Sequence, residues 1–113
     1  MNWKELRSEK QVREILEESK TSAVMIFKHS SRCSTSRMML DRLARKWKEE
    51  ETSHLKTYFL DLISFRDISN SIASEFDVPH ESPQVLIIEN GRSVYDRSHF
   101  DIDYDQILRA SKN

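Results

Sequence analysis

Apolar residues recur along this chain in two rhythms, and the change from one to the other marks out its elements. Over residues 3 to 18, Trp3, Leu6, Val12, Ile15 and Leu16 stand at roughly helical spacing among charged positions. That spacing predicts an amphipathic helix with one buried face. Thr21 and Ser22 interrupt it, and Ala23-Val24-Met25-Ile26-Phe27 then runs apolar without alternation, as a central strand covered on both faces does. A polar segment from Lys28 to Ser36 follows and opens onto Met39, Leu40, Leu43, Ala44 and Trp47 at helical steps. A second helix therefore starts within or just after the polar segment.

The second half alternates in the same way. Leu55 to Asp61, reading LKTYFLD, is short and rich in strand-favouring residues. Ile68, Ile72, Ala73 and Phe76 mark a third helix that ends before Pro79. Val85 to Ile88 and Ser93 to Tyr95 flank Asn90-Gly91, a strong hairpin signal. From Asp103 to Ala110, Tyr104, Ile107 and Leu108 predict a last helix with an acidic start. The order reads αβαβαββα, in one domain over residues 1–113. Trp3 and Trp47 are expected to pack on the sheet from helices, and Glu49-Glu50-Glu51 to be the fraying, solvated end of the second helix.

Composition narrows the chemistry. With 113 residues the chain buries roughly two-thirds of its unfolded surface, enough for a core without cross-links. Eighteen Lys and Arg against nineteen Asp and Glu leave a formal charge of −1, so no broad basic field exists to hold nucleic acid or an anionic membrane. Gly91 is the one glycine, whereas loops that cradle phosphate with bare backbone need several at fixed spacing. No run of about 18 apolar residues is present to span a membrane. Cys33 is the one cysteine, which forbids an internal disulfide and a Cys-paired zinc site and suits a reducing compartment. We expect a cytoplasmic monomer.

Cys33 sits between a buried strand and a helix start, where unpaired backbone N–H groups and the helix dipole favour a thiolate. Lys28, His29, Arg32 and Arg37 lie close by, and no acidic residue stands between Lys28 and Leu40. A core cysteine is normally embedded in apolar sequence, and this one lies in a polar run, so it reads as a reactive thiol beside a cation, Arg32. Ser36 follows three residues later, giving Cys-x-x-Ser. Both side chains can point from the first helical turn toward one spot. An internal second thiol is lacking, so an outside thiol must resolve any mixed disulfide formed on Cys33. Ser36 fits an ordinary helix-start residue equally well. His29, His54, His80 and His99 lack helical metal-pair spacing, so no metal site is predicted, and His29 reads as a solvated loop histidine.

Asp61, Ala73, Phe76, Val78, Pro83, the apolar run to Ile88 and Asn90-Gly91 fall in the order of the second half of thioredoxin-like proteins. The strand, polar loop, cysteine and helix match the first half. The segment from Phe27 to Ser36 more specifically resembles the monothiol bacilliredoxin family of the YtxJ type, with its Thr-Cys-Pro-Ile-Ser motif. Cys33 and Ser36 match the motif's cysteine and serine, while Arg32, Ser34 and Thr35 replace Thr, Pro and Ile. The resemblance implies an α/β, thioredoxin-like three-layer sandwich with a mixed four-stranded sheet and an added N-terminal helix. It implies that Pro83 is a cis-proline facing Cys33 and that the backbone of Ser82 pairs with a bound thiol substrate. Bacillithiol, or another low-molecular-weight thiol, would be the co-substrate, its carboxylates met by Lys28, Arg32 or Arg37, and the partners would be thiolated client proteins. Phe27 stands where thioredoxins keep a buried Asp, so no built-in general base is implied. The competing readings are a thioredoxin-like binding module with a non-catalytic cysteine and an arsenate reductase. The latter fails because a Cys-x5-Arg loop would need Arg where Met39 stands.

Overall fold

A run of apolar residues covered on both faces needs a layer on each side, and the computed structural model, which describes residues 2–111, supplies them. Strand β2 (Ala23–His29) is buried along its whole length. It lies between β3 (Leu55–Asp61), parallel to it, and β4 (Gln84–Glu89), antiparallel. Val24 and Ile26 pack toward α1 (Glu9–Glu18) and α4 (Arg66–Phe76), whereas Ala23, Met25 and Phe27 pack toward α2 (Ser34–Lys46) and α5 (Tyr104–Ala110). This is the thioredoxin-like three-layer α/β arrangement. None of the helices among the described residues is long and apolar enough to cross a membrane.

The N-terminal segment departs from expectation. Instead of a helix from residue 3, Lys4–Glu5 forms strand β1, parallel to β3 with Lys4 opposite Tyr58 and Glu5 opposite Phe59. The sheet therefore has five strands, in the order β1-β3-β2-β4-β5, rather than four. Trp3 and Leu6 pack into the clusters on opposite faces of the sheet. An extended chain delivers its side chains that way, and a helix with both residues on one face could not. The helix proper begins at Glu9 behind a Ser8 cap, whose reciprocal bonds with Gln11 form a capping box.

Two other differences are local. Trp47 ends α2 with extended backbone (φ −66°, ψ 126°), and its ring meets Trp3 and Tyr104 at centroid distances of 6.2 and 5.7 Å. The glutamates are then the opening turn of a separate helix, α3 (Glu49–Thr52), where acid suits the dipole instead of opposing it. The Tyr104 hydroxyl donates to Glu51 Oε1 at 2.8 Å, and burial with that bond pushes the phenol up to about 12.

The hairpin is as predicted. Asn90 and Gly91 both have positive φ (51° and 74°), as a two-residue type I′ turn requires, and they join β4 to β5 (Arg92–Ser98). A 3-10 turn, His99–Asp101, leads to α5, whose cap Asp103 accepts from the Gln106 N–H. Helix α4 stops at Asp77, in the left-handed conformation, two residues before Pro79.

Candidate functional site

Strand β2 ends at His29, and the four residues after it turn the chain into α2. Cys33 is the helix N-cap, partly exposed, with extended backbone at φ −103° and ψ 117°. Its own N–H donates to the Ser30 carbonyl and its carbonyl accepts from the Arg37 N–H, each at 3.1 Å. The thiol makes no capping bond to the first helical turn. Free amides at that turn, with the dipole behind them, are what a sulfur anion or a bound disulfide can use.

Ser36 is fully buried. Its Oγ accepts the Ser30 N–H at 3.0 Å and lies 2.7 Å from His29 Nδ1. The hydroxyl is thus committed to the strand end and the loop, and among the described residues no hydrogen bond joins Ser36 to Cys33.

His29 is the residue that sequence reasoning misplaced. It is no solvated loop histidine: it is the last residue of β2, 9% exposed, with its ring 6.3 Å from Phe27 and 5.3 Å from Phe59. Burial lowers its pKa below the usual 6.5; Asp61, its partner across β3, opposes that shift and Arg37 adds to it.

The cations divide three ways. Arg32 is exposed beside Cys33. Arg37 is exposed too, and its guanidinium donates to the Ser31 carbonyl at 2.6 Å, bracing the loop. Lys28 is not a surface cation able to meet a substrate carboxylate, which corrects the expectation placed on it. Because β2 runs on through Lys28, strand alternation turns this side chain into the core on the α4 side, fully buried, with Nζ 3.5 Å from the Ser69 carbonyl. Burial lowers its pKa from 10.5 to about 8.

The second loop approaches from β4. The Ser82–Pro83 bond is cis, as the resemblance implies, and Pro83 is buried with its carbonyl accepting from the His99 N–H at 3.0 Å. Pairing of Lys28 with Gln84 in the register of β2 and β4 brings this loop and the Cys33 loop to the same end of the sheet. Gln84 donates to the Pro79 carbonyl and the Ser98 hydroxyl, while its Oε1 and the Ser82 Oγ are buried without partners.

A lone cysteine at a helix N-cap, a serine three residues on and a cis-proline at the same sheet end describe a one-thiol version of a redox site. The family model for the monothiol bacilliredoxin BrxC matches residues 4–107. The chain belongs to the monothiol bacilliredoxin family. Among solved structures, this chain is similar to a protein described as a candidate oxidoreductase with a thioredoxin fold. The two are 31% identical, with a TM-score of 0.80 over 96% of this chain and 92% of that one. A thioredoxin of Malassezia sympodialis (13% identity, TM-score 0.74, 96% and 87% covered) and one of Fasciola hepatica (12%, 0.74, 96% and 99%) share the fold alone. Membership gives the chain a thiol redox role.

Proposed function

We propose that Cys33 takes a low-molecular-weight thiol from a mixed disulfide on a client protein. The Cys33 thiolate attacks the small thiol's sulfur, the client–thiol S–S bond breaks, and the client leaves as a thiolate that takes a proton from water. A new S–S bond then holds the small thiol on Cys33, and a second external thiol must release it, since the chain has no other cysteine. The exchange is redox-neutral until that outside reductant acts. What carries the reading is a single partly exposed thiol at the N-cap of α2, at the sheet end where the cis-proline loop stands. Family membership supports bacillithiol as the small thiol, and Arg32 is the cation free to meet its carboxylates. Arg37 contributes by holding the loop. The main chain of Ser82 receives the client as an added strand. Neither its N–H nor its carbonyl has a main-chain partner among the described residues.

Incubation with a bacillithiolated client, followed by weighing of both proteins, tests this. Cys33 is expected to gain the small thiol as the client loses it, more readily from bacillithiol than from glutathione or coenzyme A disulfides, and Cys33→Ala to abolish transfer completely. If wild type never acquires the adduct while the client stays modified, the protein is a binding module with a non-catalytic cysteine.

A further inference from the structure

Two groups meet the Ser36 oxygen, the Ser30 N–H and His29 Nδ1, and counting protons assigns a role to a residue the transfer reading does not use. A serine hydroxyl has one proton to give and two lone pairs to receive with. The Ser30 N–H occupies one lone pair at 3.0 Å. The remaining contact, 2.7 Å to His29 Nδ1, runs in one of two directions. A neutral imidazole protonated at Nε2 accepts the Ser36 proton. An imidazolium must instead donate to Ser36 and leave that proton without its acceptor inside a fully buried turn.

We propose that His29 is a positioning residue for Cys33: it accepts the Ser36 hydroxyl proton and, through Ser36, anchors the Ser30–Cys33 loop that carries the thiol. The inference rests on Cys33 being the attacking thiol. Its chain of contacts is continuous. His29 is fixed by β2 and by the Phe27 and Phe59 rings, Ser36 joins it to the Ser30 N–H, and the Ser30 carbonyl receives the Cys33 N–H. The charged groups facing the imidazole are Asp61 on β3 and Arg37 on α2, which act in opposite senses, and burial adds to Arg37 in favouring the neutral ring. The neutral, accepting form therefore holds at physiological pH. Acidification turns the bond round and loosens the loop.

Two measurements decide it, and neither needs a client or a small thiol. Long-range nitrogen–proton NMR of wild type should show His29 protonated at Nε2 with Nδ1 bare at pH 7.5. A ring carrying its proton at Nδ1 overturns the proposal. Alkylation of Cys33 by iodoacetamide is then followed against pH for wild type and for His29→Asn, whose Oδ1 can accept the same proton at every pH. The ratio of the two rates divides out the titration of Cys33 itself. At pH 8 it should lie within about twofold of one, and it should fall by about three- to tenfold, the worth of one buried hydrogen bond, once the pH is far enough below the usual histidine range for the buried imidazole to charge. His29→Ala, with native circular dichroism, should be slower than wild type by about tenfold at pH 8, and the gap should narrow as the wild-type imidazole charges. A ratio that stays flat, or a folded His29→Ala that reacts like wild type at pH 8, overturns the proposal. Where His29→Ala does not fold, the NMR result and the Asn ratio decide. Because these rates need only an alkylating agent, failure of small-thiol transfer would remove the function proposed above and leave them readable.

Discussion

The loop from Ser30 to Cys33 and the loop from Pro79 to Gln84 reach the same end of the sheet with opposite states of hydrogen bonding. In the first, the Ser30 N–H is held by Ser36, the Ser30 carbonyl by Cys33, and the Ser31 and Cys33 carbonyls by Arg37. In the second, the Ser82 hydroxyl and one oxygen of Gln84 are buried with no partner, Lys28, paired with Gln84 across the sheet, is a buried cation bonded to the Ser69 carbonyl with no carboxylate beside it among the described residues, and the Ser82 main chain is open. Buried polar groups are ordinarily satisfied, so the contrast suits the two duties proposed for these loops. A nucleophile benefits from being held still before reaction, whereas a receptor for an arriving chain must keep donors and acceptors in reserve.

The strongest way to test that contrast is to remove the cost on the open side. Lys28 loses its proton near pH 8 in the folded protein, against 10.5 when unperturbed. The unfolded chain therefore binds more protons between those values, and stability rises with pH across that window. Below about pH 8 the full penalty stands, on the order of 3 kcal/mol. Lys28→Met should stabilise the protein at pH 7 by a large part of that amount, and the gain should vanish by about pH 10.5; urea unfolding at several pH values reads it directly. A loss of stability at pH 7 would mean that the Ser69 carbonyl satisfies the buried lysine.

Opening the closed side should have a smaller effect of opposite sign. Ser36→Ala strips the Ser30 N–H of its acceptor and His29 of its donor, so a loss of about 1–2 kcal/mol in thermal or urea unfolding is expected. Adduct formation on Cys33 should slow yet persist. Unchanged stability would show that the loop holds itself without the hydroxyl.

The smallest change lies outside both loops' bonding. Arg32 is exposed, and Arg32→Glu should slow reaction with an anionic thiol by only a few-fold, a difference that shrinks as salt is raised. Stopped-flow rates at low and high ionic strength measure it.

How much of this was legible in the sequence follows from how far each signal reaches along the chain. The apolar run of β2, the helix opening beside Cys33 and the Asn90-Gly91 hairpin are local patterns, and each was readable. Lys28 and His29 were misjudged because they are polar, and polar residues after an apolar run read as loop. Yet β2 continues through both, and alternation sends one to each face of the sheet. A simple count of two more strand positions would have buried them. The segment around Trp3 and Leu6 misled for a different reason: a spacing of three fits a helix turn as well as it fits two faces of a strand, and the partner that decides, Phe59, lies far along the chain. The cis bond at Pro83 was legible only by resemblance, since a Ser-Pro pair by itself favours trans.

Strand β1 has a consequence for the order of events as the polypeptide is made. Residues 2–6 leave the ribosome before the residues that seat them, Thr57, Tyr58 and Phe59. The Leu6 N–H reaches the Phe59 carbonyl at 2.9 Å, and Thr57 Oγ1 reaches the Asn2 carbonyl at the same distance. Helix α1 can take shape on its own capping box while the indole of Trp3 still has no Phe59 to pack against. That segment must therefore wait through more than fifty residues of synthesis before it closes the edge of the sheet. Until it does, the outer side of β3 is an unguarded strand in a crowded cell, where premature pairing with a neighbouring nascent chain competes with correct closure.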